Sequence, residues 1–136
     1  MRLRFGRPDL SGHAARFDVP AAAGELSVTF AGVSTLLFDD GQSAVLTDGF
    51  FSRPSLARVG LGRIAPDPAR IDAALHRLSI RGRLTAVVPV HTHFDHALDS
   101  AEVARRTGAL LAGGESAANV GRGAAQIGRA SCRERV

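Results

Sequence analysis

One apolar run that leads directly into a cluster of polar side chains constrains this chain more than any other feature. Leu84–Val90 (LTAVVPV) has the length of one strand and carries no charge, which is typical of a strand covered on both faces. Pro89 stands near its end, where the loss of one backbone donor is tolerated. The next six residues, His91–His96 (HTHFDH), contain three imidazoles and one carboxylate. The pattern predicts a rigid strand with chemically active side chains at its C-terminal end.

These side chains are metal ligands by type and by spacing. Imidazole nitrogen and carboxylate oxygen are the donors that zinc, iron and manganese accept. His91 and His93, two residues apart, can approach one ion together, while Asp95 and His96 can turn toward a neighbouring position and serve a second ion. Burying so many ionisable groups without a cation to share them would be costly. We therefore expect a metal site at residues 91–96.

Three short strands are predicted upstream of this region. Leu26–Phe30 alternates with β-branched residues, Gly32 interrupts the pattern, and Ser34–Phe38 resumes it. The sequence Asp-Asp-Gly-Gln at 39–42 is a hairpin turn signal. Ser43–Thr47 is then the returning strand, and the three segments together predict an antiparallel meander.

The rest of the chain is predicted to alternate helices and strands. Phe50–Pro66 is rich in Gly, Arg and Pro and has no periodicity, so we expect a loop. Asp67 is a suitable N-cap and Pro68 a suitable first helical residue. Further elements are predicted for a helix at Pro68–Leu78, a helix from Asp99 or Ser100 to Arg106, a strand at Ala109–Ala112 and a helix at Ser116–Val120. Helices on one side of a mixed sheet define an α/β (mixed α+β) fold.

Composition indicates a globular domain and does not favour a nucleic-acid-binding or membrane protein. The chain has 136 residues, 45% of them hydrophobic, and a formal net charge of +4. Its arginines are scattered and not interleaved with aromatic side chains, so we expect no nucleic-acid partner. No apolar stretch approaches the roughly 20 residues of a membrane span, and no signal-peptide core follows the basic N-terminus. We expect a cytoplasmic protein.

The H-x-H-x-D-H pattern after a hydrophobic strand resembles the metallo-β-lactamase superfamily. The strand, helix, strand order is similar to the N-terminal half of the αββα sandwich of that family, over about residues 25–123. Asp48, which closes the strand Ser43–Thr47, matches the acidic residue that the family places before the histidine motif to support the metal loop. The meander at 28–35 is similar to the branch that contains ascorbate-phosphate lactonase and N-acyl-phosphatidylethanolamine phospholipase D.

The resemblance implies a hydrolase with two zinc ions, and iron or manganese also fit the ligand types. His91 and His93 would bind the first ion, Asp95 and His96 the second, and Asp48 would support the metal loop. A hydroxide held between the ions would attack the substrate, with Asp95 as the catalytic residue that orients it or takes its proton. The implied substrate is a small-molecule or lipid-like ester, such as a phosphodiester or a lactone.

The chain departs from this family after residue 96. The family completes its site with later histidines and a bridging aspartate, and no histidine follows His96. We therefore interpret residues 1–24 as an irregular leader, 25–126 as a partial metallo-β-lactamase domain, and 127–136 as a tail translated from a sequencing adapter. Such a fragment is expected to be inactive by itself, and a tail of this origin is expected to pack against nothing.

Two other functions stay open. An iron-dependent redox member of the same superfamily would use a similar ligand set, although those relatives often vary the Asp95-His96 end of the motif. A non-catalytic metal-binding or interaction domain would use the ligands without hydrolysis. Metal analysis separates the first alternative from a zinc hydrolase, and the genomic sequence beyond codon 126 tests the second.

Overall fold

The computed structural model of this chain describes Gly12, residues 26–62 and 64–124, and the backbone of residues 130–131. The predicted leader at 1–24 therefore lies outside the described residues, except for Gly12. Among the described residues, no helix combines the length and apolar character that crossing a membrane requires.

The described residues form one mixed sheet with its strands in sequence order, which confirms the predicted α/β class. Strands β1, β2 and β3 are an antiparallel meander, as predicted, and β3 to β6 are parallel to one another. The strands are β1 Ser27–Gly32, β2 Thr35–Asp39, β3 Ala44–Thr47, β4 Leu84–Val88, β5 Leu110–Ala112 and β6 Ala130–Ser131. Because β3 and β4 are parallel neighbours, their C-terminal ends lie at the same edge of the sheet.

Five helices lie between or beside these strands within the described residues. They are α1 Leu56–Leu61, α2 Pro68–Leu78, α3 Phe94–Ala97, α4 Ser100–Thr107 and α5 Glu115–Gly123. Helix α2 has the predicted bounds, and Asp67 caps it by accepting hydrogen bonds from the backbone N–H groups of Ala69 and Arg70. The six-residue α1 falls in the segment predicted to be a loop, so that prediction is wrong there. Helix α1 buries none of its residues, and a helix without a buried face shows no apolar period.

Helices α2 and α4 cover one face of the sheet and form the core with it. Leu37 of β2 lies opposite Leu46 of β3, Leu46 opposite Val87 of β4, and Val87 opposite Leu111 of β5. These four side chains therefore share a face, and all are buried. The helical residues in the same cluster are Ile71, Ala74 and Leu75 of α2 and Ala101, Val103 and Ala104 of α4.

The opposite face of the sheet is apolar and largely uncovered by the described residues. Val28 lies opposite Phe38 and Phe30 opposite Leu36 on this face, and Val28 and Phe30 are 54% and 60% exposed. In β4 the residues between the buried ones are only half-buried or exposed. The prediction that this strand is buried on both faces is therefore wrong for the described residues, because helices pack on only one side.

Strand β4 also ends two residues earlier than predicted. It stops at Val88, and Pro89 has no N–H with which to continue the ladder. The N–H of Val90 instead donates to the Asp48 carboxylate, at 2.7 Å. The chain thus leaves the sheet just before the histidines and turns toward the end of β3.

The terminal segment contributes two residues to the sheet. Ala130–Ser131 form β6, and their backbone pairs with Leu111 and Ala112 of β5. We expected an adapter-derived tail to pack against nothing, and this expectation is wrong for these two residues. The other residues of 127–136 lie outside the described residues, so the proposed origin of the tail stays a prediction.

Candidate metal centre

Asp48 is the buried residue that connects the end of β3 to the histidine motif. It follows β3 directly, is fully buried, and has a φ of 54°, in the left-handed region that few residues other than glycine adopt. Its N–H donates to the carbonyl of Val88 at 3.1 Å, and its carbonyl accepts a short hydrogen bond from Ser100 Oγ. Both backbone groups are therefore held, and the unusual backbone conformation aims the side chain along the sheet edge toward residues 90–96.

The Asp48 carboxylate contacts residues 90–96, which we call the metal loop, at two points. Oδ1 accepts the hydrogen bond from Val90 N–H, and Oδ2 lies 2.8 Å from His96 Nδ1. A carboxylate can only accept, so Nδ1 is the donor in this contact, and in a neutral imidazole this leaves Nε2 with its lone pair available to a metal ion. Ser34 Oγ also lies 3.1 Å from Nδ1, at the turn between β1 and β2. The ring of His96 is thus fixed in orientation and in tautomer.

His91, Asp95 and His96 come together at this edge. One ligand atom from each lies within 4.8 Å of the other two. His96 Nε2, opposite the nitrogen that Asp48 holds, is 3.7 Å from Asp95 Oδ2. The rings of His91 and His96 have their centroids 3.8 Å apart. Helix α3 provides this arrangement because its first turn carries Asp95 and His96 back toward the end of β4.

His93 lies beside this group but is not one of its three ligands. Its ring meets the ring of His91 edge-on, with centroids 4.7 Å apart, so the two imidazoles lie on the same side of the loop. The backbone of His93 has a separate role, because its carbonyl accepts hydrogen bonds from the N–H groups of His96 and Ala97 and starts α3. The described structure therefore groups His91 with Asp95 and His96, whereas the sequence paired His91 with His93.

The three clustered side chains suit a divalent cation. They provide two imidazole nitrogens and a carboxylate, a donor set common in zinc and iron proteins. Zn–N and Zn–O bonds measure about 2.0–2.2 Å, so two donors on one ion lie at most about 4 Å apart. The ligand atoms, within 4.8 Å of one another, need only a small inward movement to reach that spacing. The bond from Asp48 to His96 is the outer contact that fixes a metal-binding imidazole in many proteins.

Two further contacts fix the loop onto the body of the domain. Ser100 Oγ, at the start of α4, bonds the carbonyl of Asp48 and also lies 3.1 Å from the carbonyl of His96. The ring of Phe94 meets the buried ring of Phe50 edge-on, with centroids 6.4 Å apart. Asp95 and His96 therefore stand on a short helix that is anchored at both of its ends, and His91 lies in the loop just before it.

A buried carboxylate next to the site has a structural role that the sequence did not reveal. Asp99 accepts hydrogen bonds from the N–H of Phe51 at 2.7 Å and from the N–H and Oγ of Ser52, both at 2.6 Å. Burial raises the pKa of Asp99 above its ordinary value, while these hydrogen bonds act in the opposite direction. Ser52 Oγ in turn accepts from the N–H of Asp67, the N-cap of α2. The hydrogen bonds of Asp99 therefore connect residues 50–67 to the start of α4, directly after the metal loop.

Local sequence gave little indication of these supporting residues. The sequence predicts Asp99 or Ser100 as the N-cap of the helix that follows, and in the structure the side chain of Asp99 makes no capping hydrogen bond. Ser34 and Ser100 look like ordinary turn and cap residues. Their partners are 62 and 52 positions away along the chain, and no short motif encodes such a contact.

Comparisons with protein-family models and with curated proteins find no match to this chain. The assignment of a function therefore depends on the residues described above and on the resemblance of the H-x-H-x-D-H pattern.

Proposed function

We propose that this chain belongs to a metal-dependent hydrolase of the metallo-β-lactamase superfamily that acts on a phosphodiester, a lactone or another ester. The observation that carries the proposal is the grouping of His91, Asp95 and His96 at the end of β4, with Asp48 orienting His96 from behind. The parallel β3–β4 pair brings Asp48 and the H-x-H-x-D-H motif to one sheet edge. The resemblance implies the same association of the two.

Zinc is the proposed cofactor, with iron and manganese compatible with the same donors. His91, Asp95 and His96 would hold one ion, and His93 is close enough to His91 to join the ligand set after a change of side-chain rotamer. A bound zinc ion would supply an activated water and polarise the ester. Asp95 is half-buried within the cluster, and its carboxylate, the proposed catalytic group, can accept a proton from an attacking water.

A two-ion site needs more ligands than the described residues group together. A second ion would draw on His93 and on side chains outside this cluster, so we expect the 136-residue chain to bind metal without appreciable turnover. Turnover would need ligands in addition to those grouped here. The test is hydrolysis of bis(p-nitrophenyl) phosphate and p-nitrophenyl acetate by the product of the whole gene, with chelator-treated protein and an Asp95→Ala variant as controls.

We expect turnover that is lost with chelator, restored by zinc and abolished in Asp95→Ala with the fold intact. Undiminished turnover in Asp95→Ala would remove Asp95 from the mechanism. Activity restored by iron and not by zinc would favour the redox alternative. Metal binding with no turnover on any ester in the complete gene product would favour the non-catalytic domain.

A further inference from the structure

A polar cavity lies between helix α2 and the segment that follows Asp48. Its volume is about 300 Å³, and three of its six lining residues are arginines. The lining residues are Phe51, Arg53, Arg70, Ala73, Ala74 and Arg77. None of them is a carboxylate, and none belongs to the histidine cluster. An adjoining cavity of about 330 Å³ shares Arg53 and Arg70 and adds Arg58.

Helix spacing explains how the arginines frame the first cavity. Arg70 and Arg77 are seven residues apart on α2, so they lie on one face of the helix, two turns from each other. Ala73 and Ala74 stand between them, and their short side chains leave the space between the two guanidinium groups open. The ring of Phe51 provides an apolar wall, while the preceding Phe50 packs toward the metal loop.

Two of the arginines are held in position by backbone carbonyls. Arg70 donates from Nη1 to the carbonyl of Ser52 at 2.9 Å. Arg53 donates from Nε to the carbonyl of Phe50 at 3.3 Å, and from Nη2 to the carbonyl of Ala31. These carbonyl contacts fix where the guanidinium groups of Arg53 and Arg70 lie at the edge of the cavity.

Among the described residues that line the two cavities, arginines outnumber carboxylates. Within the described part of the chain, the side chain of Arg77 has no ion pair and no hydrogen bond. Asp67 is the one carboxylate that lines either cavity in the described residues. It lies 3.5 Å from Arg70 Nε and already accepts the two N-cap hydrogen bonds of α2. One aspartate thus faces four arginines across the two cavities.

We propose that the arginine-lined cavity binds a phosphate group, as a phosphate monoester or the inorganic ion. Planar guanidinium groups donate paired N–H bonds that match the oxygens of phosphate, and several of them suit a dianion better than a single carboxylate. The site is separate from the metal centre and does not depend on hydrolase activity. Its ligand would be bound at the α2 side of the 50–67 segment.

Phosphate could reach this cavity on a small soluble molecule or on a lipid headgroup. Leu56 and Leu61 of α1 are 88% and 91% exposed, and Arg58 between them lines the adjoining cavity. Exposed apolar side chains beside basic ones are the arrangement that favours a membrane surface carrying anionic lipid. The experiment therefore has one arm for each source of the phosphate group.

The test uses the 136-residue chain after chelator treatment, so that no metal ion competes for phosphate. Inorganic phosphate and glycerol 3-phosphate are titrated by calorimetry at constant ionic strength, with acetate as the comparison anion. Vesicles of phosphatidylcholine, with and without phosphatidic acid, form the lipid arm. The variants are Arg77→Ala, His96→Ala and the control Arg122→Ala, an exposed arginine on α5, the helix that contacts β5 and β6.

We expect saturable binding of phosphate but not of acetate, weakened about tenfold or more by Arg77→Ala and unchanged by Arg122→Ala and His96→Ala. Binding in the soluble arm identifies a small phosphorylated ligand, and binding only to phosphatidic acid vesicles identifies a lipid. The proposal is overturned by an absence of binding in both arms, or by equal losses in Arg77→Ala and Arg122→Ala. A loss in His96→Ala would place the phosphate at the metal centre instead.

Discussion

Asp48 Oδ2 lies 2.8 Å from His96 Nδ1, across 48 residues of sequence, and this contact sets which nitrogen of His96 faces the other ligands. Asp48 can do so because it ends β3 while His96 follows β4, and the two strands are parallel neighbours. The same carboxylate holds the N–H of Val90 and so fixes the start of the metal loop. The relationship leads to a direct test of what Asp48 does.

Replacement of Asp48 by Asn should weaken zinc binding about 10- to 100-fold, the usual effect of losing an outer contact to a metal-binding histidine. Asparagine tolerates the left-handed backbone at this position and can still accept from Val90. The asparagine amide, however, has one acceptor oxygen and one donor NH2 group. With the oxygen bonded to Val90, the NH2 group would face His96 Nδ1 in place of a carboxylate oxygen. Competition with a chromogenic chelator measures the affinity. Asp40→Asn, in the exposed hairpin turn, is the control, and an unaltered affinity in a folded Asp48→Asn protein would contradict the role.

The three-ligand grouping predicts unequal effects at the two histidines that precede α3. His91→Ala removes a member of the cluster, so it should reduce zinc affinity by at least about tenfold. His93→Ala removes a ring that contacts His91 but lies outside the group, and its effect should be clearly smaller. Both residues are exposed, so neither replacement should alter the fold. Isothermal titration with zinc measures the difference, and a larger loss in His93→Ala would favour the His91–His93 pairing.

Asp99→Asn should destabilise the domain by about 2–3 kcal/mol. The buried carboxylate accepts three hydrogen bonds from Phe51 and Ser52, and an asparagine amide would place a donor against one or more of these donors. Urea unfolding followed by circular dichroism gives the change in free energy. Glu115→Gln, an exposed change in the first turn of α5, should stay within about 0.5 kcal/mol. Equal free energies of unfolding for the two variants would show that the hydrogen bonds of Asp99 do not stabilise the domain.

The pH dependence of stability should include a contribution from Glu102. Hydrogen bonds from Arg105 and then Arg106 hold the pKa of Glu102 below its ordinary value of 4.5, although burial opposes them. A lowered pKa in the folded state means that this stabilisation is complete above 4.5 and is lost as the pH falls through the lowered value. Glu102→Gln should therefore reduce the free energy of unfolding by about 1 kcal/mol or less at pH 7.

The check on Glu102 is the same pair of urea titrations repeated at pH 3. The difference between the original protein and Glu102→Gln should shrink there, since the carboxyl group is then becoming protonated in both states. A difference that stays constant between pH 7 and pH 3 would mean that the two ion pairs do not contribute through the charge of Glu102.

The elements with a regular local pattern could be predicted from the sequence. The Asp-Gly turn fixed the β2–β3 hairpin, and the Asp67-Pro68 pair fixed the start of α2, because both signals act within a few residues. Helix α1 could not be predicted in this way, because it buries no face and its apolar residues therefore show no helical periodicity in the sequence. The end of β4 depends on Asp48, whose position relative to Val90 is a property of the folded sheet.

In the candidate site, too, the features that depend on local sequence could be predicted and those that depend on the folded structure could not. Its candidate ligands lie within six residues of one another in sequence, so residue types and spacing were enough to propose them. Which of them group together depends on how α3 turns, and the structure groups His91 with Asp95 and His96. The arginine-lined cavity could not be predicted, because Arg53 reaches it from a loop while Arg70 and Arg77 come from a helix.

The central claim is that His91, Asp95 and His96 form a metal site, and zinc stoichiometry tests it most directly. The protein is loaded with zinc, dialysed and analysed for bound metal alongside a His91→Ala/Asp95→Ala/His96→Ala variant whose fold is verified by circular dichroism. The account predicts about one zinc ion per chain in the original protein and none retained by the variant. Equal zinc content in the two proteins, or none in either, would contradict it.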